Sequence, residues 1–194
     1  MKKILLILLF FTFYNDSVYS IEPDVFVQST VNRASQILSK NISKEQKITE
    51  LKSIAKETVD IKGVGFYSLG SARKNIDDNQ KKIFFDLFED YFLKSFSSRL
   101  SEYTNPKIEV YGKKVINKNY TIVNSLLIAT KDRPEIKIDW RIYTKDSNNP
   151  LIRDLIIEGL SLARTQKEEF ASILNSNDDD INVLFNTLKK FSEN

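Results

Sequence analysis

The stretch EIKIDWRIY, residues 135–143, alternates between apolar and charged side chains with a period of two. Successive side chains of an extended chain point to opposite faces of a sheet. The pattern therefore predicts a strand with one face in a hydrophobic core and the other toward solvent. The apolar members of the alternation are Ile136, Ile138, Trp140 and Ile142.

The residues on either side of this strand extend the pattern into a sheet. Three further segments, 108–115, 120–130 and 151–158, have the composition of strands, and turn residues at 117–119 and 146–150 separate them. Consecutive strands with short connections usually pair with their neighbours in sequence. We therefore expect a four-stranded antiparallel meander.

Helical spacing dominates the rest of the chain. Ser43 begins a capping arrangement with Gln46, Asp77 starts the longest helix, and Ser161 is placed to cap the helix after the last strand. The helices are predicted at about 23–38, 43–59, 60–69, 77–103, 161–174 and 178–191. The fold class is therefore α+β, with the four-stranded antiparallel sheet packed against several helices in one domain.

The first twenty residues have the pattern of an export signal. Lys2 and Lys3 precede an apolar run, residues 4–14, and a polar exit follows it. The run is too short to cross about 30 Å of hydrocarbon as a helix. We expect residues 1–20 to be a signal peptide cleaved after Ser20, and residues 21–194 to be a single exported domain. The alternative is an uncleaved N-terminal membrane anchor.

The composition excludes many kinds of chemistry. The 194 residues include no cysteine and no histidine, which excludes disulfides, thiolate nucleophiles, Ser-His catalysis and the usual zinc sites. The net charge of +3 gives no case for nucleic-acid binding, which needs a clustered basic face. We expect no catalytic residue, no metal and no cofactor.

Two features near the last strand could carry chemistry. Residues 159–163, GLSLA, faintly resemble a nucleophile elbow, but without histidine Ser161 is better explained as a helix cap. Asp154 lies among apolar strand residues, where it is either a buried general base or a structural carboxylate. The sequence favours the structural role because it offers no partner acid.

Three segments together resemble one known family, the MlaC family of periplasmic auxiliary proteins in toluene-tolerance type ABC systems. The first runs from Phe26 to Leu38, with Val59-Asp60 and Leu69-Gly70 after it. The second is the aromatic-rich helix from Asn79 to Tyr103. The third and most specific is residues 154–162, DLIIEGLSL, which join a strand end to a helix start.

This resemblance implies a periplasmic phospholipid carrier whose sheet and helices enclose a pocket for acyl chains. It further implies a shuttle between an outer-membrane lipoprotein complex and the ring-forming lipid-binding component of an inner-membrane ABC transporter. Such a carrier maintains the lipid asymmetry of the outer membrane, holds phospholipid as ligand rather than cofactor, and is most simply a monomer.

Periodicity supplies candidates for the lipid-binding residues of this pocket. They are Phe66, Leu69, Phe84, Phe88, Tyr91, Phe92, Val110, Ile122, Leu126, Ile138, Trp140 and Ile142, of which the sheet residues are expected to face inward. Each of these could instead belong to a filled core.

Two other functions stay open at this point. One is a small-molecule enzyme on a cystatin-like α+β scaffold with Asp154 as its base. The other is a non-lipid interaction module of the cell envelope.

Overall fold

The computed structural model describes residues 20–131 and 133–193 of the chain. The predicted signal peptide lies outside these residues, except for Ser20. The helices are α1 (Pro23–Ser39), α2 (Lys44–Thr58), α3 (Ile61–Ser68), α4 (Asp78–Leu100), α5 (Leu162–Asn175) and α6 (Ile181–Glu193), with a 3-10 turn at Ala72–Lys74. The strands are β1 (Ile108–Asn117), β2 (Tyr120–Leu127), β3 (Ile136–Tyr143), β4 (Leu151–Ile157) and β5 (Leu160–Ser161).

Side-chain caps fix where the helices begin. Ser43 and Gln46 form a complete capping box at α2, and Asp77 and Gln80 form another at α4. Ser161 accepts a hydrogen bond from the backbone N–H of Arg164, which confirms its role as the cap of α5. These bonds satisfy backbone donors that no helical carbonyl can reach.

The sheet is an antiparallel meander with the order β1-β2-β3-β4-β5. The predicted α+β class and antiparallel sheet are confirmed, although the sheet has five strands rather than four. The fifth is a two-residue strand after a tight turn at Glu158 and Gly159, whose φ angles are 48° and 85°. Glycine suits the second turn position because it adopts positive φ without strain.

Strand β2 turns its smaller side chains toward the helices. Val123, Ser125 and Leu127 are buried on this face, whereas Ile122 and Leu126 are half-buried on the opposite face. The prediction that Ile122 and Leu126 face inward is therefore wrong. The strand has apolar residues on both faces, so hydrophobicity alone does not choose between them.

Trp140 of β3 explains the face that β2 presents. Its indole Nε1 donates a hydrogen bond to Ser125 Oγ at 2.8 Å, and Ser125 Oγ donates to the carbonyl oxygen of Ile138 at 3.0 Å. A buried indole N–H needs an acceptor. The observed register provides that acceptor inside the core.

A β-bulge changes the direction of side chains along β4. Adjacent residues of β3 pair with Ile152 and Asp154, so Arg153 is an extra residue in the register. In a regular strand, residues three apart point to opposite faces. The bulge lets Ile152 and Leu155 pair with inward residues of β3 and both face the helices.

Helix α4 lies at the centre of the core. Its Phe84 and Phe88 are fully buried, and both rings meet Phe170 of α5 edge-on with centroids 6.2 and 6.1 Å away. Helix α3 packs tightly on α4, since a Cβ at Gly65 would lie 2.7 Å from Cδ1 of Phe88. Within the described ranges, no helix is both long and apolar enough to cross a bilayer.

Phe88→Ala is expected to lower the free energy of unfolding by about 3–5 kcal/mol, because it leaves a cavity among tightly packed rings. Urea denaturation measures the loss. Ile83→Ala on the same helix is the matched control; Ile83 is 40% exposed, so the change should be within about 1 kcal/mol. Equal losses in the two variants would contradict the central position of Phe88.

Candidate functional site

Two apolar cavities lie between the sheet and the helices. Cavity A, of about 250 Å³, is lined by residues within 88–99 of α4, 162–169 of α5 and 152–155 of β4. Cavity B, of about 140 Å³, is lined by residues within 30–38 of α1 and 51–58 of α2, and by inward residues of the sheet. Their lining is mostly aliphatic and aromatic, as in sites that take apolar ligands.

The two cavities adjoin through a shared wall of side chains. The residues that line both are Val59, Phe96, Trp140, Ile152 and Leu155. Phe96 and Leu155 are only partly buried, and Phe96 stacks on Phe92 with ring centroids 5.6 Å apart. A change of rotamer at Phe96 or Leu155 would therefore change the shape of the wall between the cavities.

Five of the predicted pocket residues line these cavities. They are Phe88, Tyr91 and Phe92 in cavity A, Ile138 in cavity B, and Trp140 in both. On α4 these residues follow the i, i+3, i+4 spacing that predicted them. Whether they contact lipid stays a prediction.

The other candidates lie outside both cavities. Leu69, Phe84 and Ile142 are buried in the packed core. Val110 is half-buried on the edge strand β1, while Ile122 and Leu126 lie on the opposite face of the sheet. Phe66 is 42% exposed and stacks on Phe85 at the surface, because α3 turns its small Gly65 toward α4 instead.

Sequence reasoning missed the part of cavity A nearest to solvent. On α4 the face that carries Phe88 and Phe92 continues through Ser95 and Arg99. On α5 the residues that line this part of the cavity include Gln166 and Glu169. The spacing of residues 88, 92, 95 and 99 was available as a signal. Ser95 and Arg99 are polar, however, so the apolar stripe that predicts core-facing positions ends before them.

Arg153 borders cavity A but is held by partners on the sheet and at the N-cap of α3. Its Nε donates to Asp60 Oδ2 at 2.7 Å, its Nη1 donates to the Tyr120 hydroxyl at 2.7 Å, and its guanidinium lies 3.9 Å from the ring centroid of Tyr143. Burial lowers the pKa of Arg153, but the hydrogen bond and charge of Asp60 outweigh it and raise the pKa above its usual value. This cation is therefore committed to a structural ion pair.

Asp154 of β4 has its carboxylate buried against the start of α5, and both carboxylate oxygens accept hydrogen bonds. Oδ2 accepts a hydrogen bond from Ser161 Oγ at 2.7 Å and lies 3.6 Å from Arg141 Nη1. Oδ1 accepts from the backbone N–H of Ala163 at 3.0 Å. These contacts tie β4 to the helix that follows it and support the structural role for this carboxylate rather than that of a general base.

Asp154→Ala is expected to lower the free energy of unfolding by about 1–3 kcal/mol, because it leaves a buried backbone N–H and a hydroxyl without their acceptor. Urea denaturation checks the value against Asp86→Ala, an exposed aspartate of α4 that should change it by about 0.5 kcal/mol or less. Unchanged stability of Asp154→Ala would show that these bonds do not hold α5 in place.

A chain of hydrogen bonds crosses from α4 to α5 beside cavity A. Tyr91 Oη donates to Gln166 Oε1 at 2.8 Å, and Gln166 Nε2 donates to Glu169 Oε2 at 3.0 Å. Burial raises the pKa of the Tyr91 hydroxyl. The phenol therefore stays protonated at neutral pH and acts as a donor.

The described part of the chain, residues 20–131 and 133–193, contains no group of three or more acidic side chains arranged to hold a metal ion. The geometry around cavities A and B is instead that of a small α+β protein that encloses apolar space between one sheet and its helices. The MlaC protein family model matches residues 28–190. The chain belongs to the MlaC family.

A solved structure has the same fold. It is the phospholipid-binding protein from Ralstonia solanacearum, determined in complex with a phospholipid, and it matches with a TM-score of 0.74. The match covers 89% of this chain and 98% of that chain at 15% sequence identity. No curated protein matches the sequence.

Proposed function

We propose that the protein is a periplasmic phospholipid carrier that holds acyl chains in cavities A and B. The observation that carries the proposal is the pair of adjoining apolar cavities with a shared wall of side chains. Membership of the MlaC family and the fold shared with a phospholipid-binding protein support it. Among the predicted residues, those that line the cavities and would contact the chains are Phe88, Tyr91, Phe92, Ile138 and Trp140.

The physical need for such a carrier follows from the hydrophobicity of lipid tails. Burial of a methylene group stabilises a lipid in its bilayer by about 0.8 kcal/mol, so two long tails contribute roughly 20 kcal/mol. Free passage through an aqueous compartment is therefore negligible. A protein interior that replaces the bilayer, with no bond made or broken, is sufficient for transport.

The family resemblance also supports the proposed partners and location. We infer that residues 1–20 direct export to the periplasm and that the domain acts there as a monomer. It would exchange lipid with an outer-membrane lipoprotein complex and with the lipid-binding ring of an inner-membrane ABC transporter. Phospholipid is the ligand in this scheme, and no cofactor takes part.

The ligand is tested first by mass spectrometry of lipids extracted from gently purified protein. We expect phospholipid at a fixed molar ratio to protein. Protein that carries no phospholipid after purification, and takes up none from vesicles, would contradict the proposed function. It would favour a filled interaction module instead.

Ser95→Trp is expected to lower the amount of bound phospholipid by about tenfold. The tryptophan side chain would occupy much of the volume of cavity A, so an acyl chain could enter only by displacing the buried indole. Ser95 lines this cavity from α4. Lipid phosphorus per mole of protein measures the effect.

Asp86→Trp is the matched control, since Asp86 is exposed on the same helix and lines neither cavity. It should retain lipid at the level of the unmodified protein. Circular dichroism confirms that both variants keep their helices. Full lipid content in Ser95→Trp would mean that cavity A is not the site.

A further inference from the structure

We propose that the mouth of cavity A recognises a zwitterionic head group that carries a primary ammonium, with Arg99 binding the phosphate and Glu169 the ammonium. This inference rests on the proposed function and deepens it by naming the class of phospholipid. Arg99 stands in the last turn of α4 and Glu169 on α5. The two helices face each other across the cavity.

Exposure identifies these residues as the mouth. Arg99 and Glu169 are solvent-exposed and also line cavity A, whereas Phe88 and Trp140 at its inner end are buried. A lipid with its tails among the buried rings would place its polar end between the exposed residues. Ser95 and Gln166 add uncharged polar groups at the same level.

The other formal charges on the wall are already neutralised. Arg153 is paired with Asp60, and Asp154 is paired with Arg141. Within the described chain Arg99 has no ion pair and no side-chain hydrogen bond, and Glu169 has no cationic partner. One positive and one negative charge are therefore available to a ligand in cavity A.

Glu169 is held in place before any ligand arrives. The bonds from Tyr91 to Gln166 and from Gln166 to Glu169 Oε2 orient the carboxylate from one side and leave Oε1 open. Besides burial, the charge of Glu169 raises the pKa of Tyr91 and that of Arg99 lowers it. Both charges therefore lie near enough to Tyr91 to act on its hydroxyl.

The chemistry of the two groups selects among head groups. A guanidinium offers parallel donors to the oxygens of a phosphodiester. A carboxylate accepts hydrogen bonds from a primary ammonium but receives none from a quaternary ammonium. A glycerol head group has no cation, so its anionic phosphate is repelled by the carboxylate without compensation. Phosphatidylethanolamine satisfies both residues.

The test is competitive loading of the purified exported protein from vesicles. The vesicles contain equal amounts of phosphatidylethanolamine and phosphatidylglycerol with identical acyl chains, and mass spectrometry measures both lipids on the reisolated protein. We expect phosphatidylethanolamine to exceed phosphatidylglycerol by about threefold, the size of effect that an exposed ion pair supplies. Glu169→Gln should bring the ratio to that of the vesicles, and Arg99→Gln should lower the total of both lipids by about threefold.

Two neighbouring charges provide matched controls. Glu168 and Arg164 are exposed on α5 and do not line the cavity, so Glu168→Gln and Arg164→Gln should load lipid as the unmodified protein does. Loading in the vesicle ratio, or an unchanged ratio in Glu169→Gln, would overturn the head-group inference and leave the carrier function intact. An unchanged total in Arg99→Gln would overturn the phosphate assignment. Uptake of neither lipid by the unmodified protein would overturn the proposed function itself.

Discussion

The hydrogen bond from the Trp140 indole to Ser125 holds together the part of the sheet on which both cavities rest. It satisfies the indole N–H on the face that β2 presents to the helices, where Trp140 lines both cavities A and B. Because Ser125 Oγ in turn donates a hydrogen bond to the carbonyl oxygen of Ile138, the polar side-chain atoms of Trp140 and Ser125 all have partners and do not attract water. An apolar interior can therefore persist around a side chain that carries a polar group.

The buried charges around cavity A also have partners within the protein. Asp60 neutralises Arg153, and Asp154 is satisfied by Ser161, Ala163 and Arg141. A buried charge without a partner would be costly and would draw water into the cavity. Ion pairing inside the wall thus confines the available charges to the exposed end, where a polar head group would meet solvent.

The sequence predicts the order and limits of the elements well, because caps and periodicity are local signals. Ser43, Asp77 and Ser161 mark helix starts, and the alternation over 135–143 identifies β3 with its inward face. The site is predicted less well. The inward face of β2 depends on a cross-strand bond, and the facing of Leu155 depends on a bulge. Both depend on residues of the neighbouring strand, which the pattern of side chains within β2 or β4 does not reveal.

Helix α4 explains why a chain of ordinary composition can enclose space at all. Around Phe88 the helix meets Gly65 and Phe170 at close range, so its aromatic rings are packed as core. One to three turns later the same face meets partly polar side chains of α5, and the rings of Phe92 and Phe96 stack on each other beside open volume. The difference lies in what the neighbouring elements bring to the helix. For that reason an aromatic stripe, which looks uniform in the sequence, becomes core at one end and cavity wall at the other.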